Sequence, residues 1–410
     1  MKNIISVFSG RKPNIEILKK YLQKALELKI IDEVHFWNNT RNSFDEDYLK
    51  TISNLKRTSS SENGNYILIT PLVLNNSFEL NVKAPNDIHI KISNLYTEYE
   101  IVLGGWNNTM SVIRENNNEI FNLNKKKLAD GEKYNNYQIV INNDNLNIVK
   151  NNELVISQKI QNNFQIENIF FKTGNNSIGH LRYNTIQNKG FYFMDTCEKD
   201  SWKNYYNYYN DTIFENDIIL KCDDDIVFID LNKLPKFIKF IKNNDYDLVF
   251  ANIINNGVSA YFQQNKFNLI PKELMELEYP HEGCSGSLWE NGEKAEILHN
   301  YFIENYNKFL DYNYNNEIIP IDTRFSINFF GYKGKNWKKI CNSGIGNDEY
   351  NLTVEYVKNN QFKNILYTDF YVSHLSFYRQ NETGINLNKL VNNYHSLFHK
   401  LEENENKLNI

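Results

Sequence analysis

Between residues 65 and 184 the helical spacing of apolar residues disappears. Short alternating runs replace it: NYILITPLVL, SFELNVKA, IHIKISN, YEIVLGG, YQIVINN, LNIVKNN, ELVISQK and IENIFFKTG, separated by Asn- and Gly-rich turns. Alternation with period two makes strands with one buried face, and many short strands at this spacing predict an antiparallel β-sandwich. The flanks follow another pattern. NIISVFSG is an apolar strand ended by Gly10, and NIEILKKYLQKALELKI follows with Ile15, Leu18, Leu22, Ala25 and Leu26 at helical spacing. DEVHFWNNT is a second strand, so a parallel pair with a right-handed crossover is expected. After 185, KGFYFMDT and DIILKCDDD form strands. LNKLPKFIKFIKNN, NGEKAEILHNYFIENYNKFLDY and LNKLVNNYHSLFHKLEENENKL form helices. The simplest architecture is one α/β domain, 1–60 plus 185–410, interrupted by a β-sandwich at 65–184, with the polar RTSSSENGN at the first boundary.

Composition narrows the function. The chain has 410 residues, a net charge of -5 and 41% hydrophobic residues, enough for a sizeable core and without the basic surface that nucleic acid requires. Cys197, Cys222, Cys284 and Cys341 have no CxxC spacing, so free thiols are expected rather than a zinc site or disulfides. MKNIISVFSGRKPN has no apolar run long enough for a signal peptide, and no stretch is apolar enough to span a membrane. A cytoplasmic protein is expected. The excess of Asn, Ile, Lys and Tyr reflects an AT-rich genome, such as a large DNA virus or a protist carries.

The segment DIILKCDDDIVFID sets Asp223, Asp224 and Asp225 between two apolar runs. Like charges at the end of a buried strand repel and resist burial, so they need a positive partner. In open α/β sheets ligands bind beyond the carboxyl ends of strands. A divalent cation there takes one or two carboxylates from the protein and completes its shell with phosphate and water. On an extended strand Asp223 and Asp225 point to one face and Asp224 to the other, which suits holding a metal against a diphosphate. A solvated turn of acids is the alternative.

LKCDDDIVFID resembles the D-x-D segment of glycosyltransferases with the GT-A fold. PIDTRFSINFFGYKGKNWKKI resembles an acceptor-side segment of these enzymes, GIGNDEYNLT the acid motif that carries their catalytic base at a helix start, and YVSHLSFYRQ their late His segment. The resemblance covers the first β-α-β unit and everything after about 185. It implies a GT-A-like mixed sheet flanked by helices, and a divalent cation, Mn²⁺ or Mg²⁺. It also implies a nucleotide-sugar donor (a UDP-sugar before a GDP-sugar) and a glycan or glycoprotein acceptor. Asp225 and His374 then ligate the metal, Asp223 the metal or the donor ribose, and Asp224 lies beside the nucleotide. Asp348 or Glu349 is the general base, Asp348 preferred, which implies inversion at the anomeric carbon.

Further donor contacts are expected at strand ends: Ser9 and Arg11 in FSGRKPN, and Trp37, Asn38 and Arg41 at the end of the second strand. Lys203 in DSWKNYY is a further candidate. Each has a plainer reading as turn, core or exposed helix residue. HEGCSGSLWENGEKAEI places Gly286 and Trp289 in a loop suited to sugar or phosphate, or in a lid without contact. Arg324 binds acceptor or diphosphate, or pairs with Asp322. His281, His299 and His395 show no ligand spacing.

FELNVKAPNDIHIKIS and YEIVLGGWNNTMSVIR resemble the farnesoic acid O-methyltransferase-like module, a lectin-like β-sandwich. No Gly-rich methyltransferase loop accompanies it. Trp106 and Arg114 either bind glycan or serve structure, Arg114 pairing with an acid such as Glu100. Two rivals to the transferase remain. Asp223-x-Asp225-x-Val227 fits the first motif of haloacid-dehalogenase-type phosphatases, and a non-catalytic carbohydrate-binding protein needs only the sandwich.

Overall fold

The computed structural model describes residues 1–58, 65–124, 127–174, 179–183, 190–196, 201–281, 285–315, 317–341, 347–359 and 361–408. It is a mixed α/β chain of two compact units, Met1–Glu46 with Asp200–Ile410, and Asp47–Lys199. The second unit begins 18 residues before and ends 15 residues after the 65–184 expected for the insert. The reason is that Asn54–Thr58 and Phe191–Thr196 pair in parallel with one another.

In the α/β unit the strands are β1 (Asn3–Ser9), β2 (Glu33–Asn38), β3 (Ile218–Asp223), β4 (Ile226–Ile229), β5 (Leu248–Ile254), β6 (Ile318–Pro320), β7 (Phe329–Lys333) and β8 (Asn364–His374). Their order is β2-β1-β3-β7-β5-β8-β4, with β6 also on β8. β1 runs parallel to β2 and β3, and β5 parallel to β8, while β7 runs antiparallel between β3 and β5. The carboxyl ends of β1, β2, β3, β5 and β8 therefore share one edge. Near-continuous apolar runs suit strands covered on both faces, and all eleven residues of β8 are buried. Lys12–Glu27 is helical with Pro13 in its first turn, and Ile15, Leu18, Leu22 and Ala25 are buried as their spacing required. The expected helices also form at Leu234–Asn243, Gly292–Glu304 and Leu387–Leu408.

One core acid lies outside the site. Asp230, 3% exposed, follows β4 and accepts the backbone N–H groups of Asn232 and Lys233, both at 3.2 Å, ahead of the helix at Leu234. Burial raises its carboxyl to about 6, against the opposing pull of Lys233. A carboxyl raised on folding favours the folded state below its unfolded pKa, and that advantage is lost as pH rises through about 6. Asp230→Asn keeps an acceptor for the cap and removes the buried charge. It is expected to stabilise the protein by about 2 kcal/mol near neutral pH and by much less near pH 4, read from urea midpoints at the two pH values.

The second unit has two sheets. One has strands Asn54–Thr58, Ser77–Ala84, Asp130–Asn142, Asn145–Lys150, Glu153–Lys159, His180–Arg182 and Phe191–Thr196. The other is antiparallel and runs in the order Ile67–Ile69, Asn168–Thr173, Ile88–Ser93, Glu98–Gly104, Met110–Glu115, Asn118–Asn124. Leu80, Val82, Ile90, Ile92, Ile101, Tyr137, Ile139, Ile148 and Phe171 form one buried core, as alternating inward faces of a sandwich do.

Candidate functional site

The acids at 223–225 find their partners at the shared strand edge of the α/β unit. β3 stops at Asp223, and Asp224 and Asp225 form the turn into β4. Arg11, just past β1, forks onto this turn: Nε and Nη2 donate to the two oxygens of Asp224 at 3.2 and 2.7 Å, and Nη2 also reaches Asp225 Oδ2 at 2.8 Å. Two parallel N–H donors on one carboxylate are the strong, orienting form of this pair. The Gly10 N–H adds a bond to Asp224 at 3.0 Å, and a Cβ at Gly10 would lie 3.3 Å from that oxygen, so a small residue suits this approach. Asp225 Oδ1 lies 3.2 Å from His374 Nε2 at the end of β8.

Burial opposes the charge on all these groups. It raises the Asp224 carboxyl, with Arg11 pulling the other way. On Asp225 burial is outweighed by His374 and Arg11, which together hold the carboxyl well below the usual range. Arg11 is likewise raised by its two carboxylates despite burial.

This corrects the expected pairing of Asp223 with Asp225. The strand is broken at Asp223 because β3 and β4 pair with different neighbours, so the alternation rule fails at the turn and Asp224 and Asp225 converge on Arg11. Asp223 instead accepts from buried Lys221 and from Asn328 Nδ2 at 2.9 Å. Lys221, two residues earlier on the same strand face, is a site residue that period two alone could have revealed.

The second acid pair opens a short helix. Asn347 caps it through Tyr350 N–H, and Asp348 and Glu349 occupy its first turn. Both Asp348 oxygens are engaged, one by the Glu349 N–H at 2.8 Å and one by the Tyr206 hydroxyl at 2.9 Å. Tyr206 is itself fixed by stacking on Trp337 at 5.2 Å. Its phenol is raised by burial first and then by Asp348, with a contribution from Asp223, so both acids lie within electrostatic reach of it. Glu349 Oε1 accepts from Arg324 Nε at 2.6 Å, so Arg324 pairs with Glu349 rather than with Asp322. Burial raises the Glu349 carboxyl, and Arg324 counters it. Beside this pair lies a cavity of about 350 Å³ lined by His281, Asp322, Thr323, Arg324, Tyr350 and Lys358.

Several expected contacts are placed elsewhere. Ser9 is buried and its hydroxyl donates to the Val7 carbonyl, so it turns away from the edge. Trp37 is fully buried, edge-on to Tyr205 and Tyr208 at 5.8 and 5.4 Å, and belongs to the core. Arg41 is exposed at the bend before the helix that begins at Ser43. Lys203 lies in the helix Ser201–Tyr208, and its side chain is outside the described residues. So are Cys197, Cys284 and Gly283. Trp289 meets Tyr378 edge-on at 5.3 Å and Phe377 at 6.4 Å, and Phe377 in turn lies 4.4 Å from the His374 ring. Gly286, at φ +99, occupies a conformation that a side chain would strain and anchors the turn over Glu278.

Among the described residues, no three His, Cys, Asp or Glu side chains stand together as a metal-ligand set. Two come close enough: Asp225 Oδ1 and His374 Nε2 lie 3.2 Å apart, a separation that two ligands of one cation can have. That fits a cation taking two protein ligands and completing its shell from a diphosphate and water. Asp223, held by Lys221 and Asn328, does not fit as a third.

In the β unit, Trp106, Asn107 and Asn108 form a left-handed run with φ of 51, 58 and 63. Asn108 locks it, its Oδ1 accepting from Leu128 and Ala129 N–H at 3.1 Å. Trp106 is left half-exposed, with the Arg114 guanidinium 5.9 Å from its ring. Arg114 donates to Glu100, so the structural pair expected of it is present.

No curated protein matches the chain. Solved structures similar to it include the carbohydrate-binding module CBM66 from Bacillus subtilis, at 10% identity and TM-score 0.23, covering 31% of this chain and 96% of that one. Others are the Caenorhabditis elegans galectin LEC-6, at 11% and 0.23, covering 31% and 94%, and a Bacillus licheniformis beta-glucanase, at 13% and 0.21, covering 29% and 56%. The family model described as farnesoic acid O-methyl transferase matches residues 49–185. That match falls within the inserted β unit, Asp47–Lys199, and agrees with the resemblance carried by its sequence.

Proposed function

We propose that the α/β unit is a metal-dependent glycosyltransferase of the GT-A type, moving a sugar from a nucleoside-diphosphate donor to a hydroxyl of a glycan or protein. The observation that carries this reading is the acid turn at the carboxyl ends of the strands, where Asp225 lies 3.2 Å from His374. Asp225 with His374 is suited to a cation, and Glu349 is held by Arg324, which lines a separate cavity. Arg11 and the Gly10 N–H fix the Asp224–Asp225 turn, so Asp225 is oriented before any ligand arrives. Asp225 and His374 would hold Mn²⁺ or Mg²⁺, which when bound neutralises charge on the leaving diphosphate.

Glu349 is the better general base of the two acids. One of its oxygens is held by Arg324, and burial strengthens its affinity for a proton. Both oxygens of Asp348 already accept hydrogen bonds, so Asp348 orders Tyr206 and the helix start. The acceptor hydroxyl gives its proton to Glu349 while its oxygen bonds to the anomeric carbon and the bond to the diphosphate breaks. Attack opposite the leaving group inverts that carbon. The phosphatase alternative needs a nucleophilic Asp223, and that carboxylate is engaged by Lys221 and Asn328.

Calorimetric titration of UDP and of GDP, each with and without Mn²⁺, tests the reading. One nucleotide is expected to bind only with the metal. Metal-independent binding, or none of either nucleotide, would remove its support.

A further inference from the structure

The outward face of the six-stranded sheet in the β unit carries a cluster of charged and aromatic side chains. On Ile88–Ser93 and Glu98–Gly104, Ile88, Ile90, Ile92, Tyr99, Ile101 and Leu103 are buried, which turns His89, Lys91, Glu98 and Glu100 to the other face. Cross-strand register sets Lys172 opposite His89, and Glu100 opposite both Lys91 and Arg114. Three donors converge on Glu100: the Tyr66 hydroxyl, His89 Nδ1 at 3.1 Å and Arg114. The His89 bond is the largest cause holding Glu100 well below the usual carboxylate range, against burial. Glu100 is thus a fixed anion that orients its three neighbours.

A cavity of about 450 Å³ opens on this network, lined by Asp87, His89, Val102, Trp106, Arg114 and Lys172 among others. That volume suits a small ligand. Among the described residues neither Asp87 nor Lys172 makes an ion pair, and Lys172 Nζ lies over the Tyr66 ring at 4.4 Å. Unpaired charges of both signs set conditions on the occupant. Asp87 disfavours a simple anion, and Lys172 with Arg114 disfavours a simple cation. Together they serve a group that both donates and accepts hydrogen bonds. The half-exposed indole adds a flat, electron-rich face suited to weakly positive C–H groups. The locked left-handed run holds that indole at the cavity mouth at a cost in backbone strain.

We propose that this cavity binds a neutral saccharide ring, with its C–H face on Trp106 and its hydroxyls shared among Asp87, Arg114 and Lys172. The site belongs to the β unit by itself and does not rest on the transferase reading.

The test is calorimetric titration of the full chain with free glucose, galactose, N-acetylglucosamine, lactose and cellobiose, with glutamate and lysine as charged comparisons. At least one saccharide is expected to bind at millimolar strength or better, and the charged compounds not at all. Trp106→Gly suits φ 51 better than Trp does, so the melting temperature should hold or rise while affinity falls at least about tenfold. Lys172→Gln is expected to weaken binding as well. Asp225→Asn, in the other unit, should leave saccharide affinity unchanged even if it abolishes nucleotide binding, so the two readings fail separately. Binding of none of the saccharides, undiminished affinity in Trp106→Gly, or binding of the charged compounds alone would overturn the proposal.

Discussion

Asp225→Asn is expected to remove Mn²⁺-dependent nucleotide binding, weakening it by at least about 100-fold, the upper range that even outer-shell changes reach at metal sites. The substitution is nearly isosteric and keeps an acceptor for Arg11 Nη2, so the turn should hold. What it removes is the charge that makes Asp225 a ligand for a hard cation. Asp223→Asn is the necessary comparison. Asp223 is committed to Lys221 and Asn328, so its loss should weaken nucleotide binding by about tenfold or less. Calorimetry on the two variants reads this directly. A larger loss in Asp223→Asn than in Asp225→Asn would move the cation to Asp223 and contradict the assignment.

Glu349→Gln is expected to lower the rate of sugar transfer by about 10²–10⁴-fold, the usual worth of a positioned general base, while leaving nucleotide affinity nearly unchanged. The amide oxygen introduced by this substitution can still accept from Arg324, so the helix start should survive the change. Asp348→Asn should cost less, because that side chain acts through Tyr206 and the backbone. The pH profile gives an independent reading. Burial raises the Glu349 carboxyl, and a base works only when deprotonated. Activity should therefore fall as pH drops through that raised pKa, with the acid limb above the ordinary carboxylate range, and the limb should vanish in Glu349→Gln. A greater loss in Asp348→Asn, with the limb kept in Glu349→Gln, would return the role of base to Asp348.

The alternation of strands and helices was legible in the sequence because apolar periodicity is a local property. The helix at Leu234, the β-rich insert and the helix start at Asp348 all follow from short windows of chain. What was not legible depends on distant partners. Arg11 and Asp224 lie 213 residues apart in sequence, and nothing near either one announces the pair. Period two sets Asp223 and Asp225 on one face only if the strand continues through them, and it ends at Asp223. Where β3 stops is set by its neighbours β1 and β7, while β4 answers to β8. Trp37 stands next to last in β2, close to the end where a base contact is expected, but the helix Ser201–Tyr208 supplies the tyrosines that bury it. Tyr206 lies in the same stretch as Lys203, and its role depends on Trp337, far along the chain.

The most direct measurement of the central claim is release of nucleoside diphosphate from a panel of UDP- and GDP-sugars by the purified chain with Mn²⁺. The account predicts turnover of at least one donor, lost in Asp225→Asn and strongly reduced in Glu349→Gln. Turnover of none, together with no metal-dependent nucleotide binding, would contradict it.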